Sequence, residues 1–148
     1  MCYVLTLSTD LPEDLAKFDT ETLFFEKIDP KNGENRRKIL KYPHQYEIAT
    51  MAKNNCSCHL RIFEQDLALE VGFCPLQDWL EEEEDDDTLR TREFFGIVKQ
   101  ILAKGYHIDS YVSWNGDESA VNQQLIVKTN DISEAHFALF SDFYFEYE

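Results

Sequence analysis

The stretch Thr88-Leu89-Arg90-Thr91-Arg92-Glu93-Phe94-Phe95-Gly96-Ile97-Val98-Lys99-Gln100-Ile101-Leu102-Ala103-Lys104-Gly105 decides the fold class. Phe94, Ile97 or Val98, and Ile101 or Leu102 recur at helical spacing, which predicts a long helix over 88–104 with one apolar stripe. Gly105 stands where a helix commonly ends on a left-handed residue. A helix with a single stripe must bury it against another layer, and the flanking sequence supplies that layer as strands.

Downstream, residues 106–114 and 122–128 alternate like strands, with an Asn115-Gly116 turn signal between them. Asp131-Ile132-Ser133-Glu134 fits a capping box, which predicts a helix carrying Ile132, Ala135, Leu139 and Phe140 inward. Phe143, Phe145 and Tyr147 alternate with Tyr144, Glu146 and Glu148 as a terminal strand. Upstream, residues 2–8 and 22–28 read as strands, separated by a short helical turn over 11–16 with Asp10 as its N-cap. Residues 45–51 and 57–63 suggest a hairpin turned by Ala52-Lys53-Asn54-Asn55, and residues 29–41 a basic surface loop. Leu76, Trp79 and Leu80 behind Pro75 predict a short amphipathic helix. The expectation is one α+β domain over residues 1–148. Its largely antiparallel or mixed sheet would have about six or seven strands, with helices packed on one face.

The charge is uneven along the chain. Residues 1–62 hold 9 acids and 9 bases, whereas residues 63–148 hold 20 acids and 5 bases, so the net charge of −15 resides in the second stretch. Seven of those acids are contiguous: Glu81, Glu82, Glu83, Glu84, Asp85, Asp86 and Asp87. Neighbouring unit charges about 6 Å apart in water repel by roughly 0.7 kcal/mol, and by several-fold more when desolvated. Such a run therefore sits in water or against cations. Its sign selects basic protein surface rather than nucleic acid phosphate. The leading expectation is a non-catalytic interaction module, inhibitor- or adaptor-like, that holds a basic partner on these acids with Trp79 as an aromatic anchor. The five bases and one acid of residues 31–41 could pair with the tract within one chain or between copies, which makes a homo-oligomer an option. A calcium site is disfavoured, because the run lacks both spaced oxygen ligands and a turning glycine.

Cys56-Ser57-Cys58-His59, with Cys74, supplies the ligand types of a zinc site. A single spacer residue argues against one. In an extended segment Cys56 and Cys58 share a face, which the simplest reading turns toward the core. A small metal or thiol site built from Cys56, Cys58, His59 and Cys74 is the alternative to the interaction module. A Cys74 nucleophile at a helix start is a third reading. Four cysteines in a chain with no evident signal segment are expected to be reduced, and a Cys56–Cys58 disulfide would close a strained ring. His107, Asp109, Tyr111 and Ser113 fall on one face of their strand, opposite Ile108, Val112 and Trp114, and are expected on the solvent side.

The chain lacks a Gly-rich phosphate loop, a G-x-S-x-G elbow and an H-E-x-x-H pair, so no cofactor is expected and no catalytic residue is assigned. No apolar run reaches the roughly 18 residues of a membrane span. A soluble cytoplasmic protein is the expectation.

Overall fold

The computed structural model describes residues 2–29, 31, 34–63, 85–114, 121 and 123–148. Strands β1 (Tyr3–Thr9), β2 (Leu23–Lys27), β3 (His44–Thr50), β5 (Ile108–Trp114), β6 (Gln123–Val127) and β8 (Phe143–Tyr147) form a mixed sheet in the order β2-β3-β1-β5-β8-β6. All its neighbours are antiparallel except β6 and β8. A second sheet pairs β4 (Ile62–Phe63) with β7 (Leu139–Phe140) in parallel. The fold is mixed α+β, as the alternation of apolar residues predicts.

The long helix is α2, Asp86–Ala103. Its first turn is capped by the Asp85 carboxylate, which accepts from the Thr88 N–H at 2.7 Å. Its last turn closes as a Schellman motif: Gly105 has φ 87°, the Gly105 N–H reaches the Leu102 carbonyl and the Tyr106 N–H reaches that of Ile101. Phe94, Phe95, Ile97, Val98 and Ile101 are buried. They pack in one apolar cluster with Leu5, Leu7, Ile48, Val112 and Phe145 of the sheet. Phe137 sits in the same core, its ring centroid 4.3 Å from that of Phe95.

The opposite face of the sheet is covered as well, and this corrects the expected solvent row. Asp109, Tyr111 and Ser113 are each 0% exposed, and of the four residues in that row only His107 is on the solvent side as expected. The segment read as a basic loop contains a short helix, α1 (Glu34–Ile39), and Leu40 packs on Tyr111 and Tyr144 beneath it. Arg36, expected at the surface, is buried and paired with Glu47, while Lys38 pairs with Glu34 and Lys41 with Glu146. Trp114, expected in the core, is 40% exposed at the strand end and meets Tyr3 edge-on.

Other expected elements differ. The hairpin of 45–51 with 57–63 does not form: β3 ends at Thr50, and only Ile62–Phe63 is extended in the second segment. Strands β5 and β6 are not sheet neighbours, because β8 lies between them. The capping-box helix is replaced by two 3-10 turns, Thr129–Asp131 and Glu134–His136, neither with a side-chain cap, and Leu139–Phe140 is a strand. The early turn is Leu15–Phe18 with Asp14 as its N-cap; Asp10 is drawn away by His107. The helix expected behind Pro75 lies outside the described residues.

Candidate thiol site

The geometry of the thiol site begins where β3 leaves β1. Their pairing runs from Thr9 opposite His44 to Leu5 opposite Ile48. At Met51 the backbone turns with φ 72°, and a tight loop with Asn54 at φ 62° returns the chain to the start of β1. Ser57 then occupies the place a continued β3 would have filled. Its N–H donates to the Tyr3 carbonyl at 2.9 Å, and its hydroxyl accepts from the Leu5 N–H at 2.9 Å and donates to the Ile48 carbonyl. Thr50 locks the loop: its N–H and hydroxyl both donate to the Cys56 carbonyl, at 3.0 and 2.9 Å. Asn55 Nδ2 donates to the Thr50 carbonyl at 2.8 Å.

Ser57 is thus a fully buried pin, and the cysteines beside it are half-buried. This reverses the expected arrangement, in which the thiols faced the core and Ser57 faced outward. The cause is hydrogen bonding: two backbone groups at the frayed strand junction need a partner, and a hydroxyl can satisfy both where a thiol does so poorly. The expected sharing of a side by Cys56 and Cys58 holds. Their sulfurs lie 3.3 Å apart. The third thiol is Cys2, immediately before β1. The Sγ atoms of Cys2, Cys56 and Cys58 all lie within 4.8 Å of one another. The Tyr3 N–H also donates to Cys58 Sγ at 3.2 Å.

All three are free thiols. Burial opposes ionisation of Cys56, but hydrogen bonds from the Cys2 thiol and from Cys58 bring its pKa below that of an ordinary thiol. Burial and the hydrogen bond to Cys56 push the Cys58 thiol up to about 12. Of the Cys56 and Cys58 pair, Cys56 is therefore the readier to ionise.

His59 is not one of this group. Its ring is half-exposed, with Nδ1 3.9 Å from Asp87 Oδ1 at the start of α2. Arg90 joins the same corner, donating to the His59 carbonyl and to Asp87 Oδ1, each at 3.0 Å. Cys74 lies outside the described residues, and so do Trp79, Glu81, Glu82, Glu83 and Glu84. The described end of the acidic tract has work within the fold: Asp85 caps α2, Asp87 engages Arg90, and Asp86 lies in the helix's first turn, where the macrodipole favours negative charge.

A second polar cluster lies under α1. Asp109 Oδ1 accepts from the Ser8 N–H at 3.0 Å and from the Ser8 hydroxyl, while Oδ2 accepts from the Lys41 N–H at 2.8 Å and the Tyr144 hydroxyl at 2.6 Å. Around it, Tyr42 donates to Glu146 Oε1 and Lys41 to Glu146 Oε2, both at 2.9 Å. Burial pushes the Asp109 carboxyl above the usual carboxylate range, against the lowering effect of the Ser8, Tyr144 and Lys41 donors. Lys41 and Tyr42 hold Glu146 below that range. His107 pairs with Asp10, Nδ1 to Oδ2 2.7 Å, rather than with Asp109, so the strand row provides no His–Asp couple. Ser8 of β1, Asp109 of β5, Tyr144 of β8 and the Lys41 backbone just past α1 meet in this cluster, which fastens the end of α1 to the sheet.

Compared with known protein families, curated proteins and solved structures, the chain matches none.

Proposed function

We propose that this protein binds a thiophilic metal ion through Cys2, Cys56 and Cys58, with Zn2+ as the reference ion. The observation that carries the reading is the convergence of three sulfurs from two chain segments within 4.8 Å of one another. Zn–S bonds of about 2.3 Å in tetrahedral geometry place sulfurs roughly 3.8 Å apart. The Cys56–Cys58 separation of 3.3 Å needs to open by only a fraction of an ångström to meet this. Thiolate donors favour zinc and softer ions over calcium or magnesium. The pinned loop holds two ligands at a fixed spacing before any ion arrives, which lowers the ordering cost of binding. An ion there would tie the start of β1 to the loop after β3.

The test is titration of the fully reduced chain with Zn2+ against a chromophoric chelator, repeated with Co2+. The reading predicts stoichiometric zinc uptake with proton release, and intense thiolate-to-cobalt charge-transfer absorption. Absence of both contradicts it.

The acidic tract supports a second reading, docking of a basic protein partner, because the net charge of −15 is concentrated in residues 63–148. Binding of that kind weakens steeply with salt; a salt-insensitive complex counts against it.

A further inference from the structure

The three sulfurs that suit a metal ion are also close enough to react with one another. We infer that they form a peroxide-sensitive switch, in which oxidation joins Cys2 to Cys56 as a disulfide and removes two of the three ligands. The inference rests on the metal-site reading of the same residues and adds its regulation.

The geometry selects the pair. Cys56 and Cys58 are separated by one residue, so a disulfide between them closes a small strained ring. Cys58 Sγ is also held by the Tyr3 N–H at 3.2 Å. Cys2 comes from a separate segment, and its Sγ lies within 4.8 Å of both Cys56 and Cys58 Sγ, so the bond from the Tyr3 N–H that engages Cys58 is what favours Cys56 as its partner. Bond formation needs these two sulfurs to close from at most 4.8 Å to a bonding distance of about 2.0 Å. All three thiols are half-buried rather than sealed, so a small oxidant can reach them.

The chemistry balances with hydrogen peroxide as the oxidant. The Cys56 thiolate attacks one peroxide oxygen, the O–O bond breaks, and hydroxide leaves to be protonated to water. The resulting Cys56 sulfenic acid is attacked by the Cys2 sulfur; the S–S bond forms, the S–O bond breaks, and a second water departs. Two thiols are oxidised by two electrons as one peroxide becomes two waters. A thiol reductant reverses the change. Metal loss follows because a disulfide sulfur is no longer a thiolate donor.

The experiment uses the full chain, zinc-loaded and metal-free, treated with hydrogen peroxide and digested with trypsin without reduction. Cys2 falls in peptide 1–17, and Cys56 and Cys58 share peptide 54–61. The inference predicts a cross-link between these two peptides that persists in Cys58→Ser and disappears in Cys56→Ser. It also predicts zinc release by peroxide and recovery of binding after dithiothreitol. A disulfide confined within peptide 54–61, a cross-link that survives Cys56→Ser, or direct passage to sulfinic acid overturns it. Because the cross-link is scored on the metal-free chain as well, failure to bind zinc sinks the metal reading separately from the switch.

Discussion

A Cys56→Ser chain should bind Zn2+ more than about 100-fold more weakly than the wild type, since loss of a direct ligand exceeds the effect of losing an outer partner. A serine hydroxyl at this position is a harder donor that stays protonated, so the three-sulfur set falls to two. The fold should survive, because Cys56 is half-buried and the loop is held by Ser57, Thr50 and Asn55 through bonds that the substitution leaves in place. Cys2→Ser should lose affinity to a similar degree despite its distance in sequence. His59→Ala, by contrast, should bind zinc as the wild type does, because that ring turns toward Asp87. Chelator competition on the reduced proteins measures all three. A His59 variant as weak as the Cys56 variant would restore the contiguous cysteine–histidine arrangement and remove Cys2 from its place.

Asp109→Ala should destabilise the fold by about 3 kcal/mol at neutral pH, lowering the thermal midpoint by roughly 10 °C. The carboxylate is the shared acceptor for Ser8, Lys41 and Tyr144. Removing it lets the two hydroxyls turn, but it leaves the Ser8 and Lys41 backbone N–H groups without that partner. The pH dependence carries a sign. Burial raises the folded-state pKa of Asp109 above its ordinary 3.8, so the native state binds more protons than the unfolded chain in that window. Its stabilising contribution is complete below 3.8 and falls as pH rises through the raised value. The difference between wild type and Asp109→Ala should therefore be largest in acid and narrow as pH rises. Glu146 works in the other direction: its lowered pKa stabilises above the usual carboxylate value, and that contribution is lost as pH falls. Urea unfolding across the acid range measures both. A loss under about 1 kcal/mol, or a gap that widens with pH, would show that Asp109 does not fasten α1 to the sheet.

Sequence periodicity was a reliable guide where one element buries one face against the main core. The stripe of α2 and its terminal glycine, and the strands at β1, β5 and β8, follow from local pattern alone. The pattern misled where a second layer intervened. Asp109, Tyr111 and Ser113 look like a solvent row because each is polar, yet all three are buried, and Asp109 and Tyr111 find side-chain partners that lie far off in the chain. The capping-box signature at Asp131 failed for a related reason: Leu139 and Phe140, two of the four residues the helix would have turned inward, are committed to a strand by pairing with Ile62 and Phe63. The thiol site was half legible. Cys56 and Cys58 stood out, but Cys2 lay hidden in a strand-like N-terminal stretch, and nothing local tied it to the later pair. One signal was available: a serine between two cysteines can pin a chain by hydrogen bonds that its neighbours cannot make. That puts both thiols on the side away from the pin.

The most direct measurement of the metal reading is X-ray absorption at the zinc edge of the reduced, zinc-loaded chain. Three sulfur scatterers at about 2.3 Å, falling to two in Cys2→Ser, are the predicted result. A shell made only of nitrogen and oxygen at about 2.0 Å, unchanged by that substitution, would contradict it.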